Sequence, residues 1–252
     1  MALIALANYN DLELLAAQLA GGLRAASSLE GGAQWFAEQL AARFPSVVLA
    51  RVFATMEFAQ LPAPERDAAR SASRENVLVP ETDVLTLLGS AGRQPEWNDR
   101  RRSRQHRAIP LLGREQVEGI PMVSRLLRDL RYHHKSEPSD PTRLVTRAVA
   151  NANGLFFVPH AATAVDERGR RVIPAAEFVA AHGVASVFGF GGAYLSQATF
   201  VATILFTTEV LRQENAMHFL RLSSAFKAAT TRLVSRGLFF EPDAADTGCA
   251  VS

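Results

Sequence analysis

Apolar and small residues alternate through residues 184–207, VASVFGFGGAYLSQATFVATILFT. Val184, Ser186, Phe188 and Phe190 fall on one side of an extended chain, and Ala185, Val187 and Gly189 on the other. Phe200, Ala202, Ile204 and Phe206 alternate in the same way against Val201, Thr203 and Leu205. β-Branched and aromatic residues dominate both runs, and Gly191-Gly192 and Ser196-Gln197 break between them, which predicts a two-strand hairpin. Strands that are apolar or small on both faces belong in the middle of a sheet, covered by helices on at least one side. Further strands are predicted at 47–60 (VVLARVFATMEFAQ), 83–89 (DVLTLLG) and 154–161 (GLFFVPHA).

The helical pattern starts after Asn10 or Asp11, with Leu12, Leu15, Leu19 and Leu23 on one face. Gly21-Gly22 and Gly31-Gly32 interrupt residues 10–43, so two helices or a kinked pair are expected there, the second carrying Trp35, Phe36 and Leu40 and stopping at Pro45. The polar, proline-rich connection after the first strand has room for a short helix at 63–73. Residues 114–134 place Val117, Ile120, Val123, Leu126, Leu127 and Leu130 on one face, with Pro121 marking the start of that helix. Short helices are expected at 144–149 and 174–181, and the longest from about Val210 to Val234. This order predicts an α+β fold: a central antiparallel sheet of about five to six strands, with the N- and C-terminal helices packed together on one face. The expected boundaries are an extension at 1–9, one domain at 10–236 and a flexible tail at 237–252.

Composition narrows the classes. The chain has 252 residues, 48% hydrophobic and 21% charged, as suits a globular domain. No apolar run is long enough for a membrane helix, and the start lacks the basic residue and apolar core of a signal peptide, so a cytoplasmic location is expected. The one cysteine, Cys249, rules out an internal disulfide. It sits in CAVS, which fits a prenylation pattern, but no polybasic stretch stands beside it as a second membrane signal. A net charge of only +2 is a weak argument for nucleic acid, and no specific nucleic-acid partner is expected.

The strands VVLARVF, GLFFVPHA and VFGFGGAYL…TFVATILFT ahead of a terminal helix resemble those of a GAF domain. WNDRRRSRQHRAIPL followed by EGIPMVSRLL resembles the GAF-like sensor regions of bacterial signalling proteins. The resemblance covers roughly residues 10–236. It implies a pocket between sheet and helices that holds a small molecule or cofactor, dimerisation through the terminal helices, and a signalling output, here supplied by a partner in trans. It also sets tests. A bilin needs an internal cysteine for attachment, and a GAF-type methionine-sulfoxide reductase needs at least two; neither is present. The asparagine–lysine–phenylalanine–aspartate–glutamate pattern of cyclic-nucleotide-binding members is absent, Lys135 standing in a different context.

Among other chemistries, no P-loop and no nucleophile elbow occurs. GFGGA at 189–193 ends a strand and leads to another strand, so a hairpin turn is expected rather than a dinucleotide site. His133 and His134 are adjacent and point apart on a helix, which does not suit chelation. His160 and His182 end regular elements, where capping or surface roles compete with haem ligation. No metal is expected and the cofactor is left open. Arg100, Arg101, Arg102, Arg104, His106 and Arg107 read as a phosphate patch, a solvated salt-bridged loop or a lid over the pocket. As a lid, the segment offers Trp97 and Asn98 for stacking and hydrogen bonding, and Arg104 and His106, with His160, as polar groups at the mouth. Phe157, Phe188, Phe190 and Tyr194 are candidates for an apolar pocket wall that would take a ring-bearing or anionic ligand, with simple core packing as the competing role. Three functions follow: a non-catalytic ligand sensor; a small enzyme with His106 or His160 as acid–base group; a structural interaction protein with a filled core.

Overall fold

A computed structural model describes residues 2–73, 77–103, 106–112, 117–130, 132, 153–194 and 199–241. The expected 144–149 helix, His133-His134, Arg104 and the CAVS end lie outside the described residues. Six strands, β1 (Val47–Glu57), β2 (Asp83–Gly92), β3 (Ala108–Pro110), β4 (Gly154–Val158), β5 (Ser186–Ala193) and β6 (Phe200–Thr207), form one sheet in the order β3-β2-β1-β6-β5-β4. Every neighbouring pair is antiparallel. The helices are α1 (Tyr9–Ala25), α2 (Leu29–Arg43), α3 (Ala63–Ser73), α4 (Pro121–Asp129), α5 (Ala176–Ala181), α6 (Gln213–Met217) and α7 (Leu220–Ser235). This is the α+β architecture expected, with six strands and with α1, α2 and α7 together on one face. No helix among the described residues is long and apolar enough to cross a membrane.

Period-two side-chain alternation splits the core into two layers. On the helical side Ala50, Val52, Val201, Leu205, Phe188 and Phe190 pack against Phe36, Phe219, Leu222 and Phe226. On the other, Leu49, Phe53, Leu85, Phe156, Val187, Ile204 and Phe206 pack against α4, α5 and the segment before α5. Two register shifts, at Val47/Leu49 and Val52/Phe53, lie in the pairings of β1.

Several details depart from the expectation. Gly21-Gly22 does not break α1, which runs through both; a Cβ at Gly22 would overlap the Trp35 ring, so this glycine serves close helix contact. The break falls at 26–28, where Ser28 Oγ caps α2 by accepting from Gly31 N at 2.9 Å. Gly31-Gly32 lies inside the first turns of α2. The helix expected over 210–234 is two, broken at His218-Phe219, and α1 at 17 residues is longer than the 16 of α7. Phe219 at the break is fully buried, its ring 5.0 Å from Phe188 and 5.3 Å from Phe44. Contacts are also made by residues before 10 and after 236. Ile4 is buried, and its N–H donates to Glu209 Oε1 at 2.9 Å. Leu238 O and Phe239 O accept from Leu29 N and Glu30 N at 2.8 Å each, so residues 238–239 are docked rather than free.

Candidate functional site

The layer opposite α1, α2 and α7 is incompletely filled. A cavity of about 220 Å³ lies between the sheet and α4, α5 and the Trp97 turn. Its floor is strand: Leu49, Arg51 and Phe53 from β1, Leu85 from β2, Ile204 and Phe206 from β6. Val123 and Leu126 of α4 and Ile173 and Phe178 close it above. At one end Trp97 meets Phe178 edge-on at 5.5 Å and His182 at 4.9 Å, while Phe178 meets Phe206 at 5.5 Å. Arg51 and His106 are the charged or titratable side chains in this lining.

Arg51 stands in the centre of the sheet, opposite Ser90 on β2 and Ile204 on β6. Burial holds its proton affinity below the usual arginine value. His106 is at the rim. Its backbone is left-handed, with φ 60°, a conformation that histidine adopts more readily than most residues. Loss of water around the ring, and then the charge of Arg51, hold its imidazole below the ordinary histidine value and favour the neutral form.

The sequence candidates separate clearly. Trp97 and His106 come together at the cavity. Phe188, Phe190 and Tyr194 lie on the other face of the sheet, fully buried among the helices, and Phe157 packs against the same cluster half-buried. The rings of Phe188 and Phe190 lie 5.0 and 5.8 Å from that of Phe219. Tyr194 OH and Thr230 Oγ1 hydrogen-bond at 2.8 Å, and burial raises the phenol. Asn98 is exposed; its Oδ1 accepts from Gly92 N at 2.7 Å and fixes the turn. His160 is exposed, its carbonyl accepting from Thr163 N and Ala164 N in a turn after β4. Arg51, Phe178 and Phe206 were not among the site residues expected from the sequence. The available signal for Arg51 was one charge inside the apolar run VVLARVFATM.

Two members of the arginine run, Arg100 and Arg107, join a buried ion network. Arg100 donates to Glu30 Oε1 at 2.7 Å and to Glu65 Oε1 at 2.6 Å, and Arg107 donates to the same Glu65 oxygen at 2.7 Å. Burial alone would raise the Glu65 carboxyl, but the hydrogen bonds and charges of Arg100 and Arg107 outweigh it and hold it below the ordinary value. Arg101 and Arg102 are exposed. Gln34 on α2 donates to Ser90 O at 3.0 Å and to Asn98 O at 3.1 Å, so α2 holds both sides of the Trp97 turn.

No family model matches the chain, and no curated protein matches it. The chain is similar to GAF domains. One is the phycocyanobilin-bound GAF domain from a cyanobacterial phytochrome, at TM-score 0.46 and 10% identity over 91% of this chain and 97% of that one. Another is the GAF domain from Acinetobacter phosphoenolpyruvate-protein phosphotransferase, at 0.43 and 11% over 86% and 90%. The chromophore-binding domain of an unusual bacteriophytochrome from R. palustris matches at 0.42 and 10% over 91% and 64%. At these scores and identities the reading of the cavity rests on its own residues.

Proposed function

We propose that this chain is a non-catalytic sensor domain that binds a small molecule in the cavity between the sheet and α4–α5. The observation that carries the reading is an apolar cavity, walled by Trp97, Phe178 and Phe206, in a layer whose counterpart across the sheet is filled by aromatic rings. Pockets of this kind bind through apolar contact and orient the ligand with a few polar groups, a description that Arg51 and His106 meet. The filled-core reading suits the helical side of the sheet and not this one. For the enzyme reading, an acid–base histidine would be oriented by a carboxylate; the described lining of the cavity contains His106 and no carboxylate.

The same proposal includes a cytoplasmic setting, an output partner in trans and a homodimer through the first and last helices. Leu14 on α1 and Met217 at the end of α6, just before the last helix, are 62% and 49% exposed, and exposed apolar surface is found where partners dock. Light scattering at tens of micromolar protein is expected to return the dimer mass; a monomer mass removes this part of the proposal.

Ligand binding is tested on freshly purified protein. Native mass spectrometry is expected to show an added mass that denaturation releases, and ring-bearing probes are expected to change the fluorescence of Trp97 in a saturable way in a Trp35→Phe variant, which removes the other of the two tryptophans. Protein that carries nothing and responds to neither neutral nor anionic ring probes would refute the reading.

A further inference from the structure

Among the described residues the cavity lining holds a permanent charge, Arg51, and no carboxylate. Arg51 Nε is fully buried and has no hydrogen-bond partner. Its Nη2 donates to Ser103 Oγ only at 3.4 Å, beyond the normal range. No carboxylate among the described residues pairs with Arg51, whereas Arg100 holds two and Arg107 one, all within 2.7 Å. Burying a charge without a partner is costly, and a guanidinium does not escape by losing its proton at physiological pH. Nε and Nη2 form the side fork of the guanidinium, the edge that takes a carboxylate through two parallel hydrogen bonds. The unpaired edge of Arg51 is therefore of the kind that makes that contact, and its buried Nε would turn toward the cavity to meet a carboxylate.

We propose that the cavity binds a hydrophobic monocarboxylate, with its apolar body between the strands and α4 and its carboxylate on the Nε–Nη2 edge of Arg51. This rests on the reading of the cavity as a ligand site. The charge count among the described lining residues supports a monoanion: one fixed cation, with His106 held toward its neutral form. Size supports a small body. An apolar cavity of about 150 Å³ holds benzene, so 220 Å³ holds a ring with a short acid arm, or an acyl chain of similar volume. The carboxylate is common to both sources.

The test uses 1-naphthoate, octanoate and the neutral 1-naphthamide, titrated into the full chain and followed by calorimetry, and by Trp97 fluorescence in the Trp35→Phe variant. At least one acid is expected to bind about tenfold or more tighter than the amide, the preference a charge-assisted bidentate contact gives. The tighter of the two acids identifies an aromatic or an acyl source, and either result supports the proposal. Arg51→Met is expected to lose that preference while still binding the amide. Without ligand, its melting point is expected to equal or exceed that of the unaltered chain, because an unpaired buried charge has been removed. A fall in melting point would make Arg51 a structural residue and overturn the proposal. If Arg51→Met does not fold, Arg51→Lys keeps the charge without the fork and should retain only part of the preference; unchanged acid binding in that variant counts against the bidentate contact. Equal binding of acid and amide to the unaltered chain would overturn the anion inference and leave the ligand site standing. Failure of all three probes to bind would overturn both.

Discussion

Two arginines in this protein meet burial in opposite ways. Arg100 sits between Glu30 and Glu65, with side-chain exposures of 5%, 8% and 2%, and every charge has a partner. Arg51 lies in the floor of a cavity with its Nε unmet. The two faces of the sheet repeat the contrast, since the helical face is filled by Phe188, Phe190, Phe219 and Phe226 while the α4–α5 face keeps about 220 Å³ open. A satisfied group and a filled layer hold a shape. An unmet group beside an unfilled layer is where a fold has room for something else.

The contrast breaks most visibly at the filled sites. Among the described residues, Arg100→Ala leaves buried Glu30 with only the long Arg101 ion pair at 3.4 Å and buried Glu65 with Arg107 alone, and is expected to cost about 3–5 kcal/mol, read by urea denaturation. Phe190→Ala, at 1% exposure, is expected to cost a similar amount, about 3–5 kcal/mol, without altering 1-naphthoate uptake. Phe178→Ala, which widens a cavity already present, is expected to cost about 1–2 kcal/mol and to weaken uptake. Equal losses from the two phenylalanine substitutions would mean that the faces do not differ.

The smallest effect is a pH dependence at the rim. Unfolded His106 takes up a proton near 6.5, and the folded chain does so only at lower pH. Between those two values the unfolded state holds more protons, so stability rises with pH. The contribution is complete above 6.5 and is lost as the pH falls below it. Comparing melting points at about pH 5 and about pH 7.5 should show the difference shrink in His106→Gln; an unchanged difference would assign it to other groups.

Much of the fold was legible because burial writes a period into the chain. Alternation located β1, β2, β5 and β6, and Pro121 marked the start of α4. Strand β3 was missed because it is three residues long and directly follows the arginine run. The break at Phe219 was missed because a buried aromatic at a turn keeps the apolar spacing of a helix. The site was less legible for a related reason. Alternation shows that Phe188 and Phe190 share a face, but not which face the helices fill. Likewise Arg51 and Arg100 are both plain arginines in the sequence, and Glu30 reaches Arg100 from 70 positions away. Local pattern carries no record of such a meeting.

The contact at Gly89 has a mechanical consequence. A Cβ there would overlap the carbonyl of Ala33, so α2 rests directly on the backbone of β2 with no side chain between them. A helix seated this way has no cushion to slide on, and a displacement of the strand at Gly89 becomes a displacement of α2. The same helix, through Gln34 and Glu30, grips Ser90 before the turn that carries Trp97 and Asn98 and Arg100 after it. Stiffness thus runs from the sheet through α2 to one end of the cavity. On the proposed reading of the cavity, entry and exit of a ligand would then fall to the opposite wall, formed by α4 and residues 173–178.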